Sequence, residues 1–130
     1  MSQKDIEIIL SRQLASYLAT PIFLVDTEGN LIFYNEPAEE ILGRRFEETG
    51  EMPAYEWSTI FTPTGEDGAP LPPGELPLMI ALTDHKPSYK KFWIRGLDGV
   101  LRNIEVTAFP LLGQGERNLG AVAIFWESSL

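Results

Sequence analysis

The chain has 130 residues, enough for one domain with a real core and too few for two. Its formal charge of −9 argues against grip on nucleic-acid phosphates or on an anionic membrane surface, so neither is expected as a partner. The complete lack of cysteine removes disulfides, thiolate metal sites and thiol nucleophiles together.

The elements follow from periodicity. Residues 4–18 place Ile6, Ile9, Leu10, Leu14, Tyr17 and Leu18 at the three-and-four spacing of one apolar helical stripe, which Pro21 ends. The opening MSQKDIEIILSRQ carries acids and polar groups among its apolar positions, unlike a signal peptide. No apolar run approaches the roughly 20 residues that span a bilayer, so a cytoplasmic domain is expected. IFLVDTEGNLIFYNEPAEEILG, residues 22–43, then reads as strand, turn, strand and helix with almost no spacer. Gly29 and Asn30 suit the turn, Asn35 suits a helix cap, and Glu39 and Glu40 favour the helix's positive end.

Residues 44–53 are charged and irregular, and residues 55–61 offer one or two helical turns presenting Trp57, Ile60 and Phe61. Four prolines and three glycines between Thr62 and Glu75 exclude a continuous helix or strand. Residues 76–84 return to helical spacing with Leu78, Met79 and Leu82 on one side, stopped at Pro87. The last third reads as an antiparallel meander: strands over 88–95, 101–111 and 119–126, the first pair joined by the Asp98-Gly99 turn. The final strand is apolar on both faces, so something must cover each side of the sheet.

In this order, and over residues 19–127, the chain resembles the PAS fold. IFLVDTEGNLIFYN looks like the family's opening, GAPLPPGELPLMIALTDHKP like its proline-rich entry, helix and exit, RGLDGVLRNIEVTAFPL like its hairpin with a late proline, and LGAVAIFWE like its last strand. The resemblance implies an α+β fold: a five-stranded antiparallel sheet with short helices on one face and an N-terminal amphipathic helix. It divides the chain into that helix (1–20), a PAS domain (21–127) and a C-terminal tail (128–130). The terminal acid-aliphatic-threonine triplet of many relatives is replaced here by Glu127-Ser128-Ser129.

The family binds haem, flavins, other chromophores, small acids or nothing identified. Cysteine-dependent flavin photochemistry and a cysteine-linked chromophore are excluded here, and haem is disfavoured because the only histidine, His85, falls at the end of the long helix rather than within it. No cofactor and no metal is therefore expected. His85 has no nucleophile placed beside it, the adjacent carboxylates Glu39-Glu40 and Glu66-Asp67 point apart, and zinc, calcium and phosphate-loop patterns are missing. Catalysis is not expected.

On a PAS sheet, Phe23, Val25, Phe92, Ile94, Ile104, Val106, Ala108, Ala121, Ala123 and Phe125 face the helices, and with Trp57 they would line an inner apolar pocket. Close packing favours filling that space with Trp57, Phe61, Leu78 and Leu82, and a small apolar ligand is the alternative occupant. Ile22, Leu24, Trp93, Phe109, Val122, Ile124 and Trp126 form an outer patch too large to leave in water. The helix carrying Ile6, Leu10, Leu14 and Tyr17 either folds back over this patch or shares it as a homodimer interface. The expected function is a non-catalytic sensory or regulatory module of signal transduction, acting through a homodimer or a downstream signalling protein or effector domain. The alternatives are a small-molecule receptor or carrier, and a small enzyme on a similar α+β fold.

Overall fold

Two short apolar runs separated by an aspartate-led turn give the first hairpin, β1 (Ile22–Val25) and β2 (Leu31–Tyr34). Asp26 Oδ1 accepts the backbone N–H groups of Glu28 and Asn30, both at 2.9 Å, and so closes the turn locally. The computed structural model describes residues 19–128. The helix expected over residues 4–18, with Ile6, Leu10, Leu14 and Tyr17, lies outside them.

Asn35 follows β2 and caps α1 (Glu36–Leu42), accepting from the Ala38 N–H at 3.3 Å. Two short helices come next, α2 (Phe46–Thr49) and α3 (Ala54–Ile60). α2 was not expected in that charged stretch. Its start is held by a side chain of the preceding helix, Glu39 Oε2 accepting the Phe46 N–H at 2.9 Å, which local propensity does not encode. The proline-rich segment forms no continuous element. Thr64 pairs with Trp93 in both backbone directions at 2.8 Å, and a 3₁₀ turn at Pro73–Glu75 leads into α4 (Pro77–Asp84). His85 ends α4 in the left-handed region (φ 55°), on the surface.

The meander is β3 (Ser88–Arg95), β4 (Leu101–Leu112) and β5 (Asn118–Glu127). All pairings are antiparallel in the order β2-β1-β5-β4-β3, so β5 is central and joins the N-terminal hairpin to the meander. Gly120 makes that junction possible. At φ +135° it passes so close to β1 that a Cβ there would stand 2.0 Å from the Val25 carbonyl oxygen.

The core lies between the sheet and the helices. All ten inward positions read from strand alternation are buried in it, among them Phe23, Val106 and Phe125. α4 presents Leu78 and Ala81 rather than the expected Leu78, Met79 and Leu82, the latter two being half-buried. Ala81, Ala108 and Ala121 are all fully buried, and their small side chains let α4 lie close on β4 and β5. The opposite face holds a second cluster of Ile22, Leu24 and Val122, with Phe33, Phe109 and Ile124 packed against it.

Register predicts a contrast between neighbours. Val106 is buried, so Val106→Asp places an unpaired carboxylate in the core at a cost of several kcal/mol, comparable to the whole stability of a small domain. Glu105→Ala, on the other face, lowers the melting temperature far less, through loss of surface contacts such as the Tyr89 hydrogen bond. Equal shifts in thermal melts of the two variants contradict the register.

Candidate functional site

The inner face carries an apolar cavity roofed by helices. Phe23, Phe92, Ile94, Ile104, Val106, Ala123 and Phe125 line it from the sheet, and Trp57 from α3. These eight come from the expected set. The other three expected lining residues, Val25, Ala108 and Ala121, stand elsewhere in the same core. Leu42, Phe61, Pro63, Leu76, Pro77 and Leu78 complete the wall. Phe61 and Leu78 were anticipated as filling residues. Leu42, Pro63, Leu76 and Pro77 were not: Leu42 ends α1, and the other three belong to the proline-rich segment and its exit into α4, a path fixed by Thr64 pairing with Trp93 of β3.

A chain of ring contacts fixes one side of this site. Phe23 meets Trp57 edge-on at 5.5 Å and stacks on Tyr34 at 6.0 Å, and Tyr34 meets Phe46 edge-on at 5.3 Å. Trp57 Nε1 donates to the Gly29 carbonyl at 2.7 Å, tying α3 to the β1–β2 turn. Gly29 is needed there, since its φ is +85° and a Cβ would press on Leu82 and Ala54 at 3.1 and 3.2 Å. Tyr34 Oη donates to the Arg44 carbonyl at 2.7 Å, and burial pushes the phenol above its ordinary pKa.

The cavity offers about 80 Å³ to the centres of water-sized molecules. An engineered cavity that takes up benzene is roughly 150 Å³, and pockets for drug-sized ligands run to roughly 300–1,000 Å³. Side chains therefore fill most of the space that three alanines leave. The described wall of the cavity is apolar, and His85 stands on the surface at the end of α4, away from it. No group of three or more His, Asp or Glu side chains is arranged to hold a metal among the described residues.

One polar joint lies at the rim. Arg102 Nη1 donates to the Ile41 carbonyl at 2.8 Å, its Nη2 pairs with Asp98 Oδ2 at 3.0 Å, and its Nε faces Glu127 Oε1 at 3.7 Å. The end of α1, the β3–β4 turn and the end of β5 meet on this one side chain. Its hydrogen bond holds the Asp98 carboxyl below the usual carboxylate range. Of the expected outer-face residues, Ile22, Leu24 and Val122 are buried, Ile124 is half-buried and Trp126 is 39% exposed.

The cavity predicts a stabilising substitution. Ala123→Val adds two methyl groups toward empty apolar space and raises stability by ~1 kcal/mol, read as a higher denaturation midpoint. A lower midpoint means that the space beside Ala123 is not usable.

No protein-family model matches the chain, and no curated protein matches it. Solved structures do. The PAS domain of a protein from Colwellia psychrerythraea aligns at a TM-score of 0.64 and 17% identity, over 94% of this chain and 97% of that one. The PAS domain of nitrogen regulation protein NR(II) from Vibrio parahaemolyticus aligns at 0.63 and 15%, over 92% and 98%. A Rhodobacter sphaeroides LOV protein aligns at 0.71 and 15%, over 99% of this chain and 69% of its own length. The five-stranded antiparallel sheet with its short helices is the PAS fold.

Proposed function

We propose that this chain is a non-catalytic sensory and regulatory module of signal transduction that acts through its outer sheet face, as a homodimer. The observation that carries the reading is a sheet with two apolar faces, of which the helices among the described residues close the inner one. On the other face Ile22, Leu24 and Val122 are buried while Trp126 stays 39% exposed, and an exposed ring continuing an apolar face supports an interaction surface there. The fold is shared with a PAS domain from a two-component sensor histidine kinase and with that of nitrogen regulation protein NR(II), which supports a signalling role. Downstream partners on this reading are a signalling protein or an effector domain.

The inner cavity gives the module a sensing element. Its wall is apolar and its volume admits only a few heavy atoms, so the ligand class is a small apolar molecule held without a covalent bond. Binding there repacks Trp57 and Phe125, the latter on the central strand whose other face carries Val122, Ile124 and Trp126. A receptor or carrier that does nothing more than bind is the second reading, favoured by the same cavity. The two differ in whether assembly matters.

Light scattering across a dilution series tests the proposal. The wild-type chain is dimeric at micromolar concentration, and Trp126→Glu moves the equilibrium toward monomer by placing a charge within the apolar patch. A wild-type chain that remains monomeric at high micromolar concentration overturns the dimer.

A further inference from the structure

Residues 62–75 run from α3 to α4 as a strap along the cavity wall. None of them is buried. Two backbone hydrogen bonds at 2.8 Å, between Thr64 and Trp93, tie the strap to β3. The Glu75–Lys90 ion pair, at 3.9 Å and exposed, adds little. Both ends are anchored. Phe61 is buried and its carbonyl accepts from the Arg95 N–H at 2.8 Å, while Leu76 and Pro77 are buried where α4 begins. A segment with few buried contacts between two firm anchors belongs to the low end of local stability.

The strap also supplies the weakest part of the cavity wall. Every residue that lines the cavity is buried except Pro63, which is half-buried, so the void comes nearest to solvent there. The residue before it is strained. Thr62 holds a φ of +43°, in the left-handed region, although it is β-branched and followed by proline. A β-branched residue is an outlier in that region, and a residue before proline prefers extended backbone. Such strain persists only where surrounding contacts enforce it, and the Thr64–Trp93 pair, two residues on, is such a contact.

We propose that the strap is the gate of the inner cavity: rotation at Thr62 breaks the Thr64–Trp93 pair, lifts Pro63 from the wall and admits the ligand. Relaxation of Thr62 to extended backbone offsets part of the cost of parting the pair, whose N–H and C=O groups then bond to water. Thr62 and Pro63 are adjacent, so the change at one displaces the other directly. Closed, the strap keeps the void dry and limits it to a small apolar guest. Open, it gives that guest a path into a site whose other walls are buried. The role assigned to the opening rests on the small-ligand reading proposed above.

Amide hydrogen exchange and xenon binding, both followed by NMR, test the gate in the wild-type chain and in Thr62→Gly. Glycine holds a positive φ without steric penalty, so the variant relieves the strain of the closed strap. In the wild type the Thr64 and Trp93 N–H groups exchange at least tenfold faster than those of Phe92 and Ile94, which alternate with Trp93 and point to β4. Thr62→Gly slows the Thr64 and Trp93 exchange at least threefold. Xenon shifts the methyl resonances of Leu78, Ile94 and Val106 on the cavity wall, and its entry slows in Thr62→Gly by the same factor as the exchange. Thr64 and Trp93 amides that exchange no faster than those of Phe92 and Ile94 overturn the gate, because the strap then opens only with the whole domain. Exchange that Thr62→Gly leaves unchanged or accelerates overturns it too, as does xenon entry that keeps its wild-type rate while the strap amides slow. Xenon that shifts none of these methyls defeats the small-ligand reading, a separate outcome in which hydrogen exchange still decides whether the strap opens.

Discussion

A sheet that is apolar on both faces has to be covered twice, and the rest of this molecule follows from that. β5 is the strand where the requirement is sharpest: Ala121, Ala123 and Phe125 turn inward, Val122, Ile124 and Trp126 outward, and its place at the centre leaves no edge on which to relax. The helices meet the inner demand almost completely and leave a small apolar void. On the outer face Ile22, Leu24 and Val122 are buried in a cluster with Phe33, Phe109 and Ile124, and Trp126 is exposed. A signalling role fits an arrangement in which one strand carries the inner wall on one side and a contact surface on the other.

Bringing the helices onto the inner face takes a few polar joints. Asn35 is the most heavily used. It is 1% exposed, its Oδ1 accepts from the Ile22 and Ala38 N–H groups, and its Nδ2 donates to the Thr20 carbonyl at 2.9 Å. The start of β1, the end of β2 and the start of α1 are thereby fixed by one carboxamide. Trp57 does the same for α3 through the Gly29 carbonyl, and Arg102 for the far end of α1 through the Ile41 carbonyl. Each joint satisfies backbone groups that would otherwise be buried unpaired, which makes these positions specific in a way the apolar packing around them is not.

Much of this was legible in residue order. Period-two alternation in residues 104–109 and 121–126 pointed Ile104, Val106, Ala108, Ala121, Ala123 and Phe125 to the inner core and Phe109, Val122 and Ile124 to the opposite cluster, because a one-residue slip would have exchanged both apolar sets. The Asp98-Gly99 turn and the Asn35 cap carry their own local chemistry and were read from it. Less was legible where partners distant in sequence decide. α2 depends on Glu39 reaching Phe46, the path of the proline-rich segment depends on Thr64 pairing with Trp93, and the cavity wall gains Pro63 and Pro77 only through that path. Nor did the sequence show that Ala108 and Ala121 make room for α4 rather than for a ligand, since an alanine in a strand reports a small side chain and not what fills the space beside it.

The central claim is that the outer face is closed by association between chains, and hydroxyl-radical footprinting of the wild-type protein tests it most directly. Side-chain oxidation is measured by mass spectrometry at dilute and concentrated protein. The account predicts that Phe109 and Trp126 react when dilute and become protected when concentrated, while Phe92 and Phe125 on the inner face stay protected at both. Equal reactivity of Phe109 and Trp126 at the two concentrations would contradict it.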